Sequence, residues 1–269
     1  MKNHLTLLFT AFLSSLLLAC SVLEDVPDEP VKTEQNGIFK GLIIGINYDT
    51  NPNVADLSFC EADATSIRSS LCEEENGWES DELNLLLGSA ATKNAITTTL
   101  SNLVAQAEEN DYILVYYSGL GAQVTDINGD EVDGLDEAIV PEDCIPSDST
   151  TLITDDELGA IFSECKTEKG VIIYEGSYGD LEISCLPVMT ASSPNEEAYE
   201  TPALGHGIFT YYLLEGLNNH RADSNNDNCI SVIELFDYAK IKTELYTTPP
   251  IQHPPIRFPK DFIDICLTR

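Results

Sequence analysis

Apolar residues along the chain fall into short continuous runs, separated by stretches in which they recur at helical spacing. The runs FKGLIIGINY, DYILVYYS and GVIIYEGS are typical of strands that are buried on both faces of a sheet. ELNLLLG and LDEAIVP predict two shorter strands. Together, these runs indicate a mainly parallel sheet.

Helical spacing follows most of these runs. This spacing predicts helices over residues 62–71, 92–107 and 155–162, and Thr92 is a suitable N-cap for the second. GIFTYYLLEGL and SVIELFDYAKI predict two further helices. Strands that alternate with helices are joined by right-handed crossovers, which place helices on both faces of the sheet. The sequence therefore predicts one α/β domain over residues 38–269, a three-layer sandwich.

The N-terminal residues lack this pattern. Lys2 precedes an apolar run, Leu5 to Leu18, that has the length of a signal peptide and is too short to span a membrane comfortably. The run ends in LLAC, which resembles the bacterial lipobox. In lipoproteins the signal, here residues 1–19, is removed and the cysteine, here Cys20, is lipidated. An ordinary secretory signal is the alternative.

Residues 20–37 are acidic, contain Pro27 and Pro30, and show no hydrophobic period, which predicts a flexible linker. The expected location is therefore the bacterial cell envelope, on the exported side, with the lipid anchor as the only membrane contact.

The net charge of the chain limits the kinds of molecule that it can bind. The chain has 46 acidic and 13 basic residues, a formal net charge of −33. Phosphate binding needs clustered Lys and Arg, so nucleic acid is excluded as a partner. An acidic surface attracts cations such as Ca²⁺. The alternative is that the acidity serves solubility alone.

Of the eight cysteines, seven lie beyond Cys20: Cys60, Cys72, Cys144, Cys165, Cys185, Cys229 and Cys266. An oxidising compartment permits disulfides, but an odd number leaves at least one cysteine unpaired. The absence of a CxxC pair argues against a zinc or thioredoxin-type site. Most of these side chains are expected to be small buried hydrophobes.

DSNNDNCISVIE resembles an EF-hand calcium loop. Its ligand positions are filled by the side chains of Asp223, Asn225, Asp227, Ser231 and Glu234 and by the backbone carbonyl of Cys229. The sixth position needs a left-handed backbone, and Asn228 tolerates that conformation better than most residues other than glycine. The alternative is an acidic turn that caps a helix. A second acidic segment (Asp126, Asn128, Asp130, Asp133 and Asp136) alternates in a similar way but lacks a glycine at its sixth position.

The stretch YYSGLGAQ is built as a strand that runs into a turn of small residues, with Leu120 at its apex. In parallel α/β sheets, function is found at the carboxyl ends of the strands. We therefore expect the loops at residues 118–121 and 175–179 to lie side by side.

Six blocks in order resemble the caspase-like cysteine peptidases, especially metacaspases and bacterial caspase-domain proteins. They are KGLIIGINYD, LSFCEADA, DYILVYYSGLGAQ, GDEVDGLDEAIVPEDC, ITDDEL and HGIFTYYLLEGL, and they cover about residues 40–245. The resemblance implies a caspase-like fold.

The family's chemistry needs a cysteine thiolate, a histidine and backbone amides that hold the oxyanion. The resemblance maps the histidine to Leu120 and the cysteine to Gly176, so both members of the dyad are replaced. The relocated-nucleophile alternative is Ser177 with His206 as its base. His206 is otherwise expected to orient a loop or to cap a helix.

The resemblance also assigns two ligand sites. The acidic pocket for a basic side chain maps to Asp63 and Tyr174, so that a phenol replaces one of the two acids. A family calcium site maps near Asp155 and Asp156.

The expected function is that of a catalytically inactive caspase-like protein that binds a protein, peptide or calcium at the cell envelope. Two alternatives stay open at this point. One is a peptidase or a hydrolase with a relocated nucleophile, and the other is a structural envelope protein stabilised by calcium.

Overall fold

A computed structural model describes residues 37–246 and 251–268, except residues 75, 130 and 132. The signal peptide, Cys20 and nearly all of the predicted linker lie outside these residues. No helix in the described part of the chain is both long and apolar enough to cross a membrane.

The central sheet has six strands. They are β1 (Phe39–Gly45), β2 (Leu83–Leu87), β3 (Tyr112–Ser118), β7 (Gly170–Glu175), β8 (Val188–Thr190) and β11 (Ile256–Arg257). Their order is β11-β8-β7-β3-β1-β2, and all neighbours are parallel except β11, which runs antiparallel to β8. The predicted mainly parallel sheet is confirmed.

The other strands form two small sheets. A three-stranded antiparallel sheet contains β4 (Gly121–Thr125), β5 (Leu135–Ile139) and β6 (Ile153–Thr154), and a two-stranded one contains β9 (Glu200–Thr201) and β10 (His206–Gly207). LDEAIVP therefore forms a strand as predicted, but that strand, β5, lies outside the main sheet. Its apolar residues predict burial, and they do not specify which strand becomes its partner.

The described part of the chain contains five α-helices: α1 (Cys60–Leu71), α2 (Lys93–Gln106), α3 (Asp155–Phe162), α4 (Ile208–Leu217) and α5 (Val232–Tyr246). The N-cap of α2 is Thr92, whose hydroxyl accepts the Ala95 N–H at 3.2 Å, as predicted. Short 3₁₀ turns span Ser80–Glu82, Gly88–Ala90, Ser149–Thr151 and Asn218–His220.

The helices cover both faces of the main sheet, as a three-layer α/β sandwich requires. Helices α2 and α3 pack on one face, against the side of the strands that carries Ile44, Val115 and Ile172. Helices α1, α4 and α5 pack on the other face, against the side that carries Ile43 and Ile173. Because side chains alternate along a strand, successive residues of β7 contact different layers.

Candidate functional site

Strands β3 and β7 are neighbours, and their carboxyl ends lie side by side. Ser118 pairs with Glu175 in the register of the two strands, and the Gly119 N–H donates to the Glu175 carbonyl at 3.1 Å. The loops that follow these strands, which the sequence placed together, are therefore adjacent.

A small cavity of about 50 Å³ opens between these strand ends. Its lining includes three carboxylates and a thiol, contributed by Asp63, Glu175, Glu200 and Cys60. A water needs about 10–15 Å³ of such volume. The cavity therefore admits a few waters, or the tip of a cationic side chain.

Asp63 is fixed by four hydrogen bonds. One carboxylate oxygen lies 2.7 Å from His206 Nδ1, the other accepts the Ser118 hydroxyl at 3.0 Å, and both lie 3.2 Å from the Gly207 N–H. The side chain is 1% exposed. Burial raises the pKa of Asp63, although its hydrogen bonds with His206 and Ser118 act in the opposite direction. His206 thus orients this carboxylate.

Glu175 meets the first turn of helix α4. Its Oε2 accepts the N–H of Thr210 at 2.6 Å and the hydroxyl of Thr210 at 2.7 Å. A helix N-terminus favours a carboxylate electrostatically. Burial and, to a lesser extent, the charge of Asp63 nonetheless raise the pKa of Glu175 to about 8. Two buried carboxyl groups therefore share one small space.

The sequence did not single out Glu175, and it placed Tyr174 in the pocket instead. Adjacent strand residues face opposite sides. In β7, Glu175 therefore lies with Asp63 in the cavity, whereas Tyr174 packs in the core on the other face. The period of two in GVIIYE was the signal that could have identified Glu175.

Three tyrosines fill the space on that other face. The Tyr174 ring stacks on Tyr117 with 5.5 Å between centroids, and its hydroxyl donates to the Ser177 carbonyl at 2.9 Å. The hydroxyls of Tyr117 and Tyr48 lie 3.0 Å apart. Burial raises the pKa of each phenol well above its ordinary value, so all three stay neutral.

The tyrosines also hold the turn at Leu120. Tyr48 Oη accepts the N–H of Leu120 at 2.9 Å, and the Tyr117 hydroxyl donates to its carbonyl at 2.7 Å. A Cβ added at Gly176 would lie 2.6 Å from Cζ of Tyr174, and one added at Gly121 would lie 2.1 Å from the Tyr174 hydroxyl oxygen. The turn is thus built around a phenol, and position 176 has no room for a side chain.

Ser177 and His206 are not partners. The Ser177 Oγ accepts the N–H of Ala198 at 3.1 Å, whereas the His206 ring is bonded to Asp63. Cys60 lines the cavity, but burial raises the pKa of its thiol well above the ordinary value. Because the thiolate is the nucleophilic form, burial disfavours nucleophilic attack by this cysteine.

Residues 40–174, half of the chain, match the model of the metacaspase peptidase C14 domain. The chain belongs to the metacaspase family. Metacaspase-1 of Schizosaccharomyces pombe is 37% identical over 110 residues, which are 39% of this chain and 25% of that protein. Metacaspase-1B of Aspergillus oryzae is 34% identical over 128 residues, which are 45% of this chain and 29% of that protein. The match therefore spans less than a third of either metacaspase.

The fold extends beyond this match. A crystal structure of a Geobacter sulfurreducens protein superposes with a TM-score of 0.63, covering 82% of this chain and 93% of the other at 18% identity. This metacaspase-family chain therefore keeps the caspase-like α/β fold over most of its length.

The EF-hand-like loop of this metacaspase-family chain folds as a compact turn before helix α5. Asn228 has φ of 64°, the left-handed conformation expected at the sixth position. Asp223 Oδ2 accepts the Asn228 N–H at 3.0 Å, and Glu234 Oε2 accepts the Ser231 N–H at 3.1 Å. The first and last candidate ligands thus both fold back onto the loop.

A disulfide fixes one side of this loop. Cys229 is bonded to Cys266, and Ser231 forms an antiparallel bridge with the same residue. The bond uses the sulfur of Cys229 and leaves its carbonyl, the candidate ligand atom, unaltered. Cysteines of this chain thus include a disulfide pair as well as buried thiols such as Cys60 and Cys144.

The structure separates the two weaker calcium candidates. Asp155 is buried, and one of its carboxylate oxygens lies within 4.8 Å of those of Glu131 and Glu137. Burial raises the pKa of both Asp155 and Glu137 to about 7. Asp156 instead accepts the side-chain amide of Asn128 at 2.7 Å. Among the residues of the second acidic segment, Asp130 lies outside the described part.

Proposed function

We propose that this metacaspase-family chain does not cleave peptides and binds a peptide or protein partner through the cavity at the carboxyl ends of β3 and β7. The observation that carries the proposal is the Tyr174 ring beside Gly176, the position that the family resemblance assigns to the nucleophile. Leu120, at the position of the base, has no group that can take a proton.

The buried carboxylates suggest the chemistry of the partner. Asp63 and Glu175 lie at the cavity with Glu200, which accepts the N–H groups of Ser58 and Phe59 at 2.8 and 2.9 Å. A lysine or arginine tip would pair with Asp63 and favour the ionised form of Glu175, because buried like charges are unfavourable without a counter-ion. We infer that the partner presents a basic side chain.

Calcium is the second ligand that we propose, bound by the loop at residues 223–234. The left-handed Asn228 and the inward carboxylates of Asp223 and Glu234 support it. Its role would be to order the start of helix α5 and the segment around Cys266, which the disulfide joins to the loop. We place the protein at the bacterial cell envelope on the strength of Cys20.

Activity and binding are tested separately. Peptides with Arg, Lys or Asp at the scissile position, with and without calcium, should be cleaved no faster than background. Turnover that Ser177→Ala abolishes would support the relocated-nucleophile alternative and overturn the inactive proposal.

Binding of an arginine-containing peptide, measured by calorimetry, should weaken in Asp63→Asn by about tenfold or more, because a charge-assisted hydrogen bond contributes about 1.5–3 kcal/mol. The matched control is Asp81→Asn, which removes an exposed charge from the turn before β2, at the amino ends of the parallel strands and so away from the cavity. Equal affinities in the two variants would remove the cavity from the proposal.

A further inference from the structure

The second half of the EF-hand-like loop pairs with residues close to the end of the described chain. The Leu267 N–H donates to the Ile230 carbonyl at 2.8 Å, and the Val232 N–H donates to the Ile265 carbonyl at 3.1 Å. The side chains of all four residues are buried in the same core cluster. Residues 264–268, the C-terminal segment, are therefore anchored in the core and run antiparallel to the loop.

This pairing fixes the peptide group that carries one of the candidate calcium ligands. The Cys229 carbonyl and the Ile230 N–H belong to the same peptide group, which is planar. The Ile230 N–H donates to the Thr268 hydroxyl oxygen at 2.9 Å. Because a trans peptide directs its N–H and its carbonyl to opposite sides, this hydrogen bond also sets the direction of the Cys229 carbonyl. The C-terminal segment therefore positions a candidate ligand atom.

The disulfide joins the same two segments covalently. Cys229 lies in the loop, and Cys266 lies in the C-terminal segment, between the two residues whose backbones pair with the loop. Both cysteines are partly exposed, so the bond is within reach of a small reductant. Once the bond is reduced, only hydrogen bonds and packing hold the loop and the C-terminal segment together.

We propose that the Cys229–Cys266 disulfide raises the calcium affinity of the loop, so that its reduction weakens calcium binding. The inference rests on the calcium site proposed above. A loop whose ligand atoms are already in place loses less conformational freedom when it binds an ion. Reduction loosens the C-terminal segment and thereby adds this entropic cost to calcium binding.

The redox step uses a small-molecule thiol, such as glutathione, as the reductant. One glutathione thiolate attacks a sulfur of the bond, forms a mixed disulfide and releases the other cysteine as a thiolate. A second glutathione thiolate attacks the glutathione sulfur of the mixed disulfide and releases the remaining cysteine. The protons lost by the two glutathione thiols are taken up by the two cysteines. Two protein thiols and one oxidised glutathione are formed.

Calcium titrations of the full-length chain test the inference. The Kd measured by calorimetry should rise by about tenfold when the chain is reduced, a factor within the usual range for coupled sites. Cys266→Ser should show this weaker binding in both oxidised and reduced glutathione. Cys72→Ser, the matched control, removes a thiol that is free in the structure and should behave as the parent.

The titrations separate failure of this inference from failure of the calcium site. Equal Kd values for the oxidised and the reduced parent would overturn the role of the disulfide and leave the calcium site in place. A lack of calcium binding by the oxidised parent would overturn both.

A second variant keeps the disulfide, so the test does not depend on the folding of Cys266→Ser. Thr268→Val removes the hydroxyl that accepts the Ile230 N–H and keeps the shape of the side chain. One hydrogen bond corresponds to about two- to twelvefold in affinity, so calcium binding by the oxidised variant should weaken by that factor. Thr99→Val, the control, removes a hydroxyl that is bonded within helix α2 and should keep the parent affinity. Unchanged affinity in Thr268→Val would contradict the proposal.

Thermodynamic linkage predicts the converse effect of calcium on the disulfide. If the bond raises calcium affinity by about tenfold, saturating calcium must favour the oxidised form by the same factor. In glutathione buffers, this factor lowers the reduction potential by about 30 mV. Glu234→Gln, which lacks the last ligand carboxylate, should show no such shift. A potential of the parent that does not change with calcium would overturn the proposal.

Discussion

A single added carbon at position 176 probes how tightly the turn is filled. In Gly176→Ala the new Cβ would lie 2.6 Å from Cζ of Tyr174. Overpacking of this kind costs about 1–3 kcal/mol, so we expect a loss of that size in the free energy of unfolding, measured by urea denaturation. In the control Gly159→Ala, the new Cβ meets nothing closer than 3.8 Å, and alanine should stabilise helix α3 by about 0.5–1 kcal/mol. Equal changes in the free energy of unfolding for the two variants would mean that the Tyr174 ring moves aside without cost.

The buried carboxyl of Glu175 should make stability depend on pH. Its pKa is about 8 in the folded protein against an ordinary value of 4.5, so the folded state holds the proton more tightly. Its stabilising contribution is complete at low pH and is lost as the pH rises from about 4.5 to about 8.

Glu175→Gln removes this titration and keeps the shape of the side chain. We expect the Tm of the variant to fall less than that of the parent between about pH 4.5 and about pH 8. Glu137 and Asp155, whose pKa values are raised to about 7, are present in both proteins, so the difference between the two curves isolates Glu175. Parallel curves would show that Glu175 stays ionised in the fold.

At the scale of the elements, the EF-hand-like loop before helix α5 predicts that calcium raises thermal stability. Calcium bound to the folded state stabilises it by about 2.7 kcal/mol at a hundredfold excess over Kd. Thermal melts of the parent should therefore rise with calcium, and those of Glu234→Gln should barely move, because this residue would supply the bidentate last ligand. Asp156→Asn, the control, should behave as the parent. Equal shifts in parent and Glu234→Gln would move the site to Glu131, Glu137 and Asp155.

Strands β1, β3 and β7 could be predicted because strands that are buried on both faces have continuous apolar runs. The start of helix α2 could be predicted from its capping residue, Thr92. The partner of LDEAIVP could not be predicted, because hydrogen-bond pairing between distant strands leaves no local pattern. Within the site, Asp63 was identified, whereas Glu175 was missed. Recognising Glu175 as a cavity residue requires knowing which face of β7 carries its side chain. The family resemblance gave only its place in the sequence, next to Gly176.

At the scale of the whole molecule, Cys20→Ala should shift the protein from the membrane fraction to the soluble fraction or block its processing. Several acyl chains hold a protein firmly, because each buried methylene contributes about 0.8 kcal/mol. Metabolic labelling with a palmitate analogue should disappear in this variant and persist in Cys72→Ala. Unchanged labelling of Cys20→Ala would contradict the lipobox assignment.

The hydrophobic core under helices α1, α4 and α5 includes residues from near the end of the described chain. Trp78, the single tryptophan, donates its indole N–H to the Leu267 carbonyl at 2.8 Å, and Ile265 and Leu267 are buried in the same cluster as Phe39. Synthesis proceeds from the N-terminus, so this half of the core stays open until residue 267 has been made. Completion of this half of the core therefore waits for residue 267, and the fluorescence of Trp78 should report the moment at which that happens.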